Sequence, residues 1–255
     1  MQAKNLFATS TLLFTLAAWA AGAPPALVVD RGLPQANLNN DAGAIRSNVR
    51  WSWYDHGFVG DDFTIGAPGE SWVIDGIRTW AVPGNPLADP QHLGDFYQDV
   101  RLYFGGSQDG LTPVASGLLD AGEDQTSNPN VQISQTGATP YDNFGANLKV
   151  WQIDFQHLNL AVAGGAKHRF GAWGMGRAIP GRDGKTYPWF NHASNASLSE
   201  AAEDGADGTL LMFDAAGRYE GSFNADGAGW DKPADINVQV FAHRAEPTAP
   251  KASTN

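Results

Sequence analysis

The chain has 255 residues with 16 Lys and Arg against 27 Asp and Glu, a formal net charge of −11, and no cysteine. An acidic surface of this kind opposes binding to nucleic acid or anionic lipid. The missing thiols exclude a disulfide scaffold, a cysteine nucleophile, thiolate metal ligation and lipid acylation.

In chain order, Met1 to Ala23 comes first. Lys4 supplies a positive start, Leu12 to Ala21 an apolar stretch, and Ala21-Gly22-Ala23 a small-residue cleavage site. That order is expected of a secretory signal peptide spanning residues 1–23. The apolar stretch is well short of the ~20 residues a membrane span needs, so no span is expected in the mature chain. The protein is therefore expected to be secreted, extracellular or periplasmic. Residues 24–245 show no break in composition and read as one domain. The end, 246–255, is rich in Pro, Ala and Thr and reads as a disordered tail.

Within 24–245 the dominant signal is period-two hydrophobicity. Val100, Leu102 and Phe104 alternate with Arg101 and Tyr103; Leu148 to Phe155 and Thr209 to Asp214 repeat the pattern. In Asp235 to His243, the residues Ile236, Val238, Val240 and Ala242 fall on one face and Asn237, Gln239 and His243 on the other. Trp72-Val-Ile-Asp75 and Trp151-Gln-Ile-Asp154 share a W-x-I-D pattern, expected of two strands with the same binary order. Past Asp75 the apolar phase slips, which predicts a β-bulge at Gly76. The only helix-like stretch is Ala196 to Asp204. Thirty Gly and fifteen Pro supply turns between short strands. Many short strands with long loops and no βαβ rhythm predict an all-β fold: a two-sheet antiparallel, jelly-roll-like β-sandwich.

The strand Phe58-Val-Gly-Asp-Asp-Phe-Thr-Ile65 carries adjacent carboxylates, Asp61 and Asp62. Successive strand side chains point to opposite faces, so the two cannot form a catalytic dyad with each other. They are expected to scaffold a sheet edge. One would accept N–H bonds from a turn at Gly57 to Gly60, and the other would face solvent or a cation. Taken with Trp72 to Ile77, Leu158 to Gly165, His168 to Trp173 and Asp235 to Val240, this strand resembles exported bacterial "DDF"-type β-sandwich domains. Many of these are surface-anchored and most are uncharacterised. The resemblance implies a jelly-roll-like fold and export, and no reaction.

Catalytic patterns are weak. There is no G-x-S-x-G elbow, no H-E-x-x-H, and no E-x-D-x-E strand; the six His are dispersed. Hard oxygen donors in Glu203-Asp204-Gly-Ala-Asp207-Gly208 and in Asn224 to Asp231 suit a structural Ca²⁺, with Glu203, Asp204 and Asp207 as the candidate ligands. The plain alternative is a set of acidic turns. Ligand contacts are expected from Trp173 and from the Gly/Pro-rich segment with Tyr187, Trp189, Asn191 and His192, whose rings could stack on sugars. Alternatively these aromatics plug one end of the sandwich. The resulting expectation is a non-catalytic exported protein binding a polysaccharide or other envelope component. A carbohydrate-active hydrolase or lyase with carboxylates on separate strands is the second reading.

Overall fold

The computed structural model describes residues 24–34, 48–50, 57–83, 92–106, 110–136, 141–143, 146–179, 183–194, 196–198, 204–224 and 234–246. Residues 1–23, expected to be a signal peptide, and residues 247–255 of the expected tail lie outside these. The strands are β1 (Ala26–Asp30), β2 (Asn48–Arg50), β3 (Gly57–Thr64), β4 (Ser71–Ala81), β5 (Asp99–Gly106), β6 (Thr112–Leu118), β7 (Val131–Gln135), β8 (Tyr141–Asn143), β9 (Ala146–Leu148), β10 (Trp151–Phe155), β11 (Leu160–Ala163), β12 (Lys167–Trp173), β13 (Phe190–Ser194), β14 (Thr209–Asp214), β15 (Tyr219–Asn224), β16 (Asp235–Ile236) and β17 (Val238–Arg244). Among the described residues there is no α-helix. The stretch read as helix-like gives only a 3₁₀ turn, Ala196–Leu198, and residues 199–203 lie outside the described residues.

Two antiparallel sheets face each other, as the alternation predicts. The larger runs β1-β17-β4-β10-β7, with β11 and β13 also on β4; the smaller runs β15-β14-β3-β12-β5-β6. The chain repeatedly changes sheet, from β3 to β4, β4 to β5 and β6 to β7, so most neighbours in space are distant in sequence. Alternation fills the space between the sheets. Trp151, Ile153 and Phe155 of β10 are buried while Gln152 and Asp154 are half-exposed. One contiguous core takes residues from Val29 to Ala242. Burying side chains of this size stabilises each by roughly 1.5–3 kcal/mol relative to exposure.

The bulge lies where the phase slip places it. Gly76 pairs with Phe241 but Ile74 pairs with Ala242, which leaves Asp75 as the extra residue. The two W-x-I-D segments lie on neighbouring strands out of step, since Trp151 opposes Ala81 while Trp72 opposes Val162.

Two expectations are corrected. The strand carrying Asp61 and Asp62 is not at an edge: β3 lies between β14 and β12 and is buried on both faces. Gly57 to Gly60 is part of that strand and not a turn. Asn237 and Gln239, on the polar face of their strand, are nonetheless only 1% and 6% exposed. For Gln239 the reason is that β17 is an interior strand whose neighbours close on the amide from both sides. Asp30 accepts from its Nε2 at 2.9 Å, and Arg78 Nη1 donates to its Oε1 at 3.1 Å.

Candidate functional site

The site is built around the aspartate pair, and its centre is a residue the sequence reading passed over. Arg31 follows β1 directly. Its N–H donates to Val238 O at 3.1 Å, which prolongs the β1–β17 pairing by one residue. Gly32, at φ +85°, then turns the chain away. The Arg31 side chain is thereby driven between the sheets, where it is fully buried. Its Nη1 lies 2.8 Å from Asp61 Oδ2, its Nε 3.1 Å from Asp204 Oδ2, and Nη1 4.0 Å from Asp235 Oδ1. Its Nη2 donates to the Asp62 carbonyl at 2.6 Å.

Each acid is also tied to backbone. Asp61 accepts from Ile236 N and from its neighbour Asp62 N, both at 2.6 Å. Asp235 accepts from Ser197 N at 3.2 Å, Asp207 N at 3.1 Å and Gly208 N at 2.9 Å. One guanidinium thus joins the end of β1, the middle of β3, the start of β16 and the turn 204–208. Burial pushes the Asp61 carboxyl up to about 8, with Arg31 pulling the other way and Asp235 adding to the rise. Burial also works against the charge on Arg31, but Asp61, Asp235 and Asp204 outweigh it and hold its pKa above the ordinary value.

Asp62 points to the opposite face, as alternation requires. Lys167 Nζ lies 3.3 Å from Asp62 Oδ1 and 3.0 Å from Asp207 Oδ2. Burial raises the Asp62 pKa against the pull of Lys167. At Asp207 burial likewise acts upward, but the Lys167 hydrogen bond and the Thr209 N–H prevail and its pKa is lowered. The two neighbouring acids therefore work in separate charge clusters on either side of one strand.

The residues singled out for ligand contact are packed inside. Trp173, Tyr187, Trp189, Asn191 and His192 are all 6% exposed or less. Trp189 lies 4.8 Å from Tyr97 and donates from Nε1 to Asn191 Oδ1 at 3.1 Å. Asn191 Nδ2 donates in turn to Val59 O at 3.4 Å. Tyr187 meets Phe96 edge-on at 4.9 Å, and His192 Nδ1 is 2.7 Å from Ala193 O. Trp173 is elsewhere, 5.9 Å from Phe58 with the Arg101 guanidinium over its ring. These side chains form no shared solvent-facing platform; Tyr187 and Trp189 plug the sandwich. Glycine and proline mark the segment as irregular, but rings of this size remove 150–250 Å² each from water and turn inward wherever the chain allows.

The proposed calcium ligands are also engaged otherwise. Asp204 serves Arg31 and Asp207 serves Lys167; Glu203 and residues 225–233 lie outside the described residues. Among the described residues no group of three or more His, Asp or Glu is arranged to hold a metal ion. Arg31 and Asp235 were missed because each is a single charged residue beside an apolar strand. The one available signal was a lone Arg wedged between Val28-Val29-Asp30 and Gly32.

No family model, curated protein or solved structure matches this chain.

Proposed function

We propose that this is an exported, non-catalytic β-sandwich protein that binds carbohydrate or another extracellular polymer in the cell envelope or its surroundings. The observation that carries the reading is the fate of the conspicuous acids. Asp61, Asp204 and Asp235 are gathered around Arg31, and Asp62 and Asp207 around Lys167. Carboxylates held by cations and backbone N–H groups are scaffolding, whereas glycoside hydrolysis needs two carboxyls facing each other across a cleft. The leader-like N-terminus and the resemblance to exported DDF-type domains support the same reading.

The test is a glycan array and polysaccharide pull-down with and without EDTA, followed by analysis of the polymer for cleavage. Binding that leaves the polymer intact is the expected result. Sugar release by substoichiometric protein would replace this reading with that of a carbohydrate-active hydrolase or lyase.

A further inference from the structure

Across the larger sheet, on the face turned away from the core, five polar side chains stand in one register row. Asp30 of β1 opposes Gln239 of β17, Gln239 opposes Arg78 of β4, Arg78 opposes Asp154 of β10, and Asp154 opposes Gln132 of β7. Four of the five are linked side chain to side chain. Gln239 Nε2 donates to Asp30 Oδ1 at 2.9 Å, Arg78 Nη1 to Gln239 Oε1 at 3.1 Å, and Arg78 Nε to Asp154 Oδ1 at 2.5 Å. Gln152 Nε2 adds a second donor to Asp154 at 2.8 Å. Chain neighbours such as Ile77, Ile153 and Val238 are 0–1% exposed, which fixes the row on the outer side. A parallel apolar row runs beside it. Leu27, 43% exposed, opposes the half-buried Phe241, which opposes Gly76. The Arg78 guanidinium lies over the Phe241 ring at 5.5 Å.

We infer that this face is the polymer-binding surface and that its ligand is a neutral linear polysaccharide lying across the strands; this rests on the polymer-binding reading above. Neighbouring strands are spaced by about 4.8 Å, so the row offers a track of roughly 19 Å. Along it the Asp30 and Asp154 carboxylates offer acceptors and the Arg78 guanidinium and exposed Gln132 amide offer donors, while the buried Gln239 amide holds the row together. Sugar hydroxyls both donate and accept, and the C–H face of a pyranose packs on an aromatic ring. An ionised carboxylate accepts about four hydrogen bonds, and Asp154 takes two from its neighbours, so it can receive hydroxyls without breaking the row. The charge pattern selects against charged polymers. On a protein of net charge −11, this row sets Arg78 between Asp30 and Asp154 and adds no basic stripe for a polyanion. Arg78 offsets the charge of Asp154, and Asp30 is already bonded by Gln239 and the Gly32 N–H, so the row offers a polycation no run of unpartnered carboxylates.

The experiment is affinity electrophoresis of the full chain through gels containing hydroxyethyl cellulose, xyloglucan, alginate or chitosan. It compares wild type, Phe241→Ala, Asp154→Asn and, on the other sheet, the exposed Tyr219→Ala. The expected result is retardation by a neutral polymer that weakens about tenfold in Phe241→Ala and Asp154→Asn, with Tyr219→Ala unchanged. Two substitutions guard against misfolding in either, and circular dichroism identifies the folded one to be read. If wild type is retarded by none of the polymers, the polymer-binding reading falls and the surface with it. If a neutral polymer retards wild type and both variants equally, that reading stands and this surface is wrong. Preference for alginate or chitosan overturns the neutral class. A dimer in sedimentation that Phe241→Ala dissociates would assign the face to a second copy of the chain, which also overturns the proposal.

Discussion

Arg31 shows how much one side chain can decide. Burying a guanidinium and several carboxylates costs several kcal/mol per ion, and close pairing with full hydrogen bonding is what offsets it. Removing the cation alone strands the acids. Arg31→Met is therefore expected to cost about 3–5 kcal/mol in urea denaturation. Arg31→Lys should recover little of it, because a point ammonium cannot reach Asp61, Asp204 and the Asp62 carbonyl together as the fork does. A loss below about 1 kcal/mol for Arg31→Met would show that the cluster does not hold the sheets. Beyond its place between Val28-Val29-Asp30 and Gly32 nothing local in the sequence marks this residue, whose side-chain partners lie 30 to 205 positions away. The opposite sidedness of Asp61 and Asp62 could be read, because it follows from strand alternation alone. Their partners could not.

At the scale of the element, β3 is packed on both faces, and Gly60 is one of the two glycines that let it be. Phe58 of β3 opposes Phe213 of β14, and the two rings stack at 5.4 Å. A Cβ at Gly60 would sit 2.3 Å from the Phe170 carbonyl oxygen and 2.8 Å from the Phe213 ring. A backbone oxygen in a paired strand cannot withdraw, so Gly60→Ala is expected to destabilise by at least the 1–3 kcal/mol typical of overpacking. Gly106, at the end of β5, has nothing within 4 Å of the corresponding position. Gly106→Ala should stay within about 0.5 kcal/mol, and thermal melts of the pair separate packing from glycine's backbone effects. Strand positions and the bulge at Asp75-Gly76 were legible from the period and its slip. The interior place of β3 was not. An apolar-and-polar run with both faces covered differs from an edge strand only in its neighbours, and β12 and β14 come more than a hundred residues later.

For the molecule as a whole, Asp61 and Asp207 make opposite contributions to the response to pH. Asp61 moves from an ordinary 3.8 to about 8 in the fold, chiefly through burial. The folded state thus favours the protonated acid. Its contribution to stability is complete below the unfolded value and is lost as pH climbs from about 4 to about 8. Asp207 acts in the reverse sense: its lowered pKa gives stability above 3.8 that disappears as pH falls through the folded value. Wild type should therefore melt lower at pH 8 than at pH 5, and Asp61→Asn should reduce that difference even if its baseline drops. A wild-type melting temperature that rises over this range would refute the assignment. The same division runs through the whole protein. Alternating side chains are a local property of extended backbone, so the order of residues alone determined an all-β chain, its main strands, its bulge and the opposed faces of the twin aspartates. Which sheet each strand joins, which rings go inside, and which distant cation answers each buried acid depend on contacts between residues far apart in the chain. Only the closed sandwich could decide those, because there burial makes the pairing of charges and the seating of rings unavoidable.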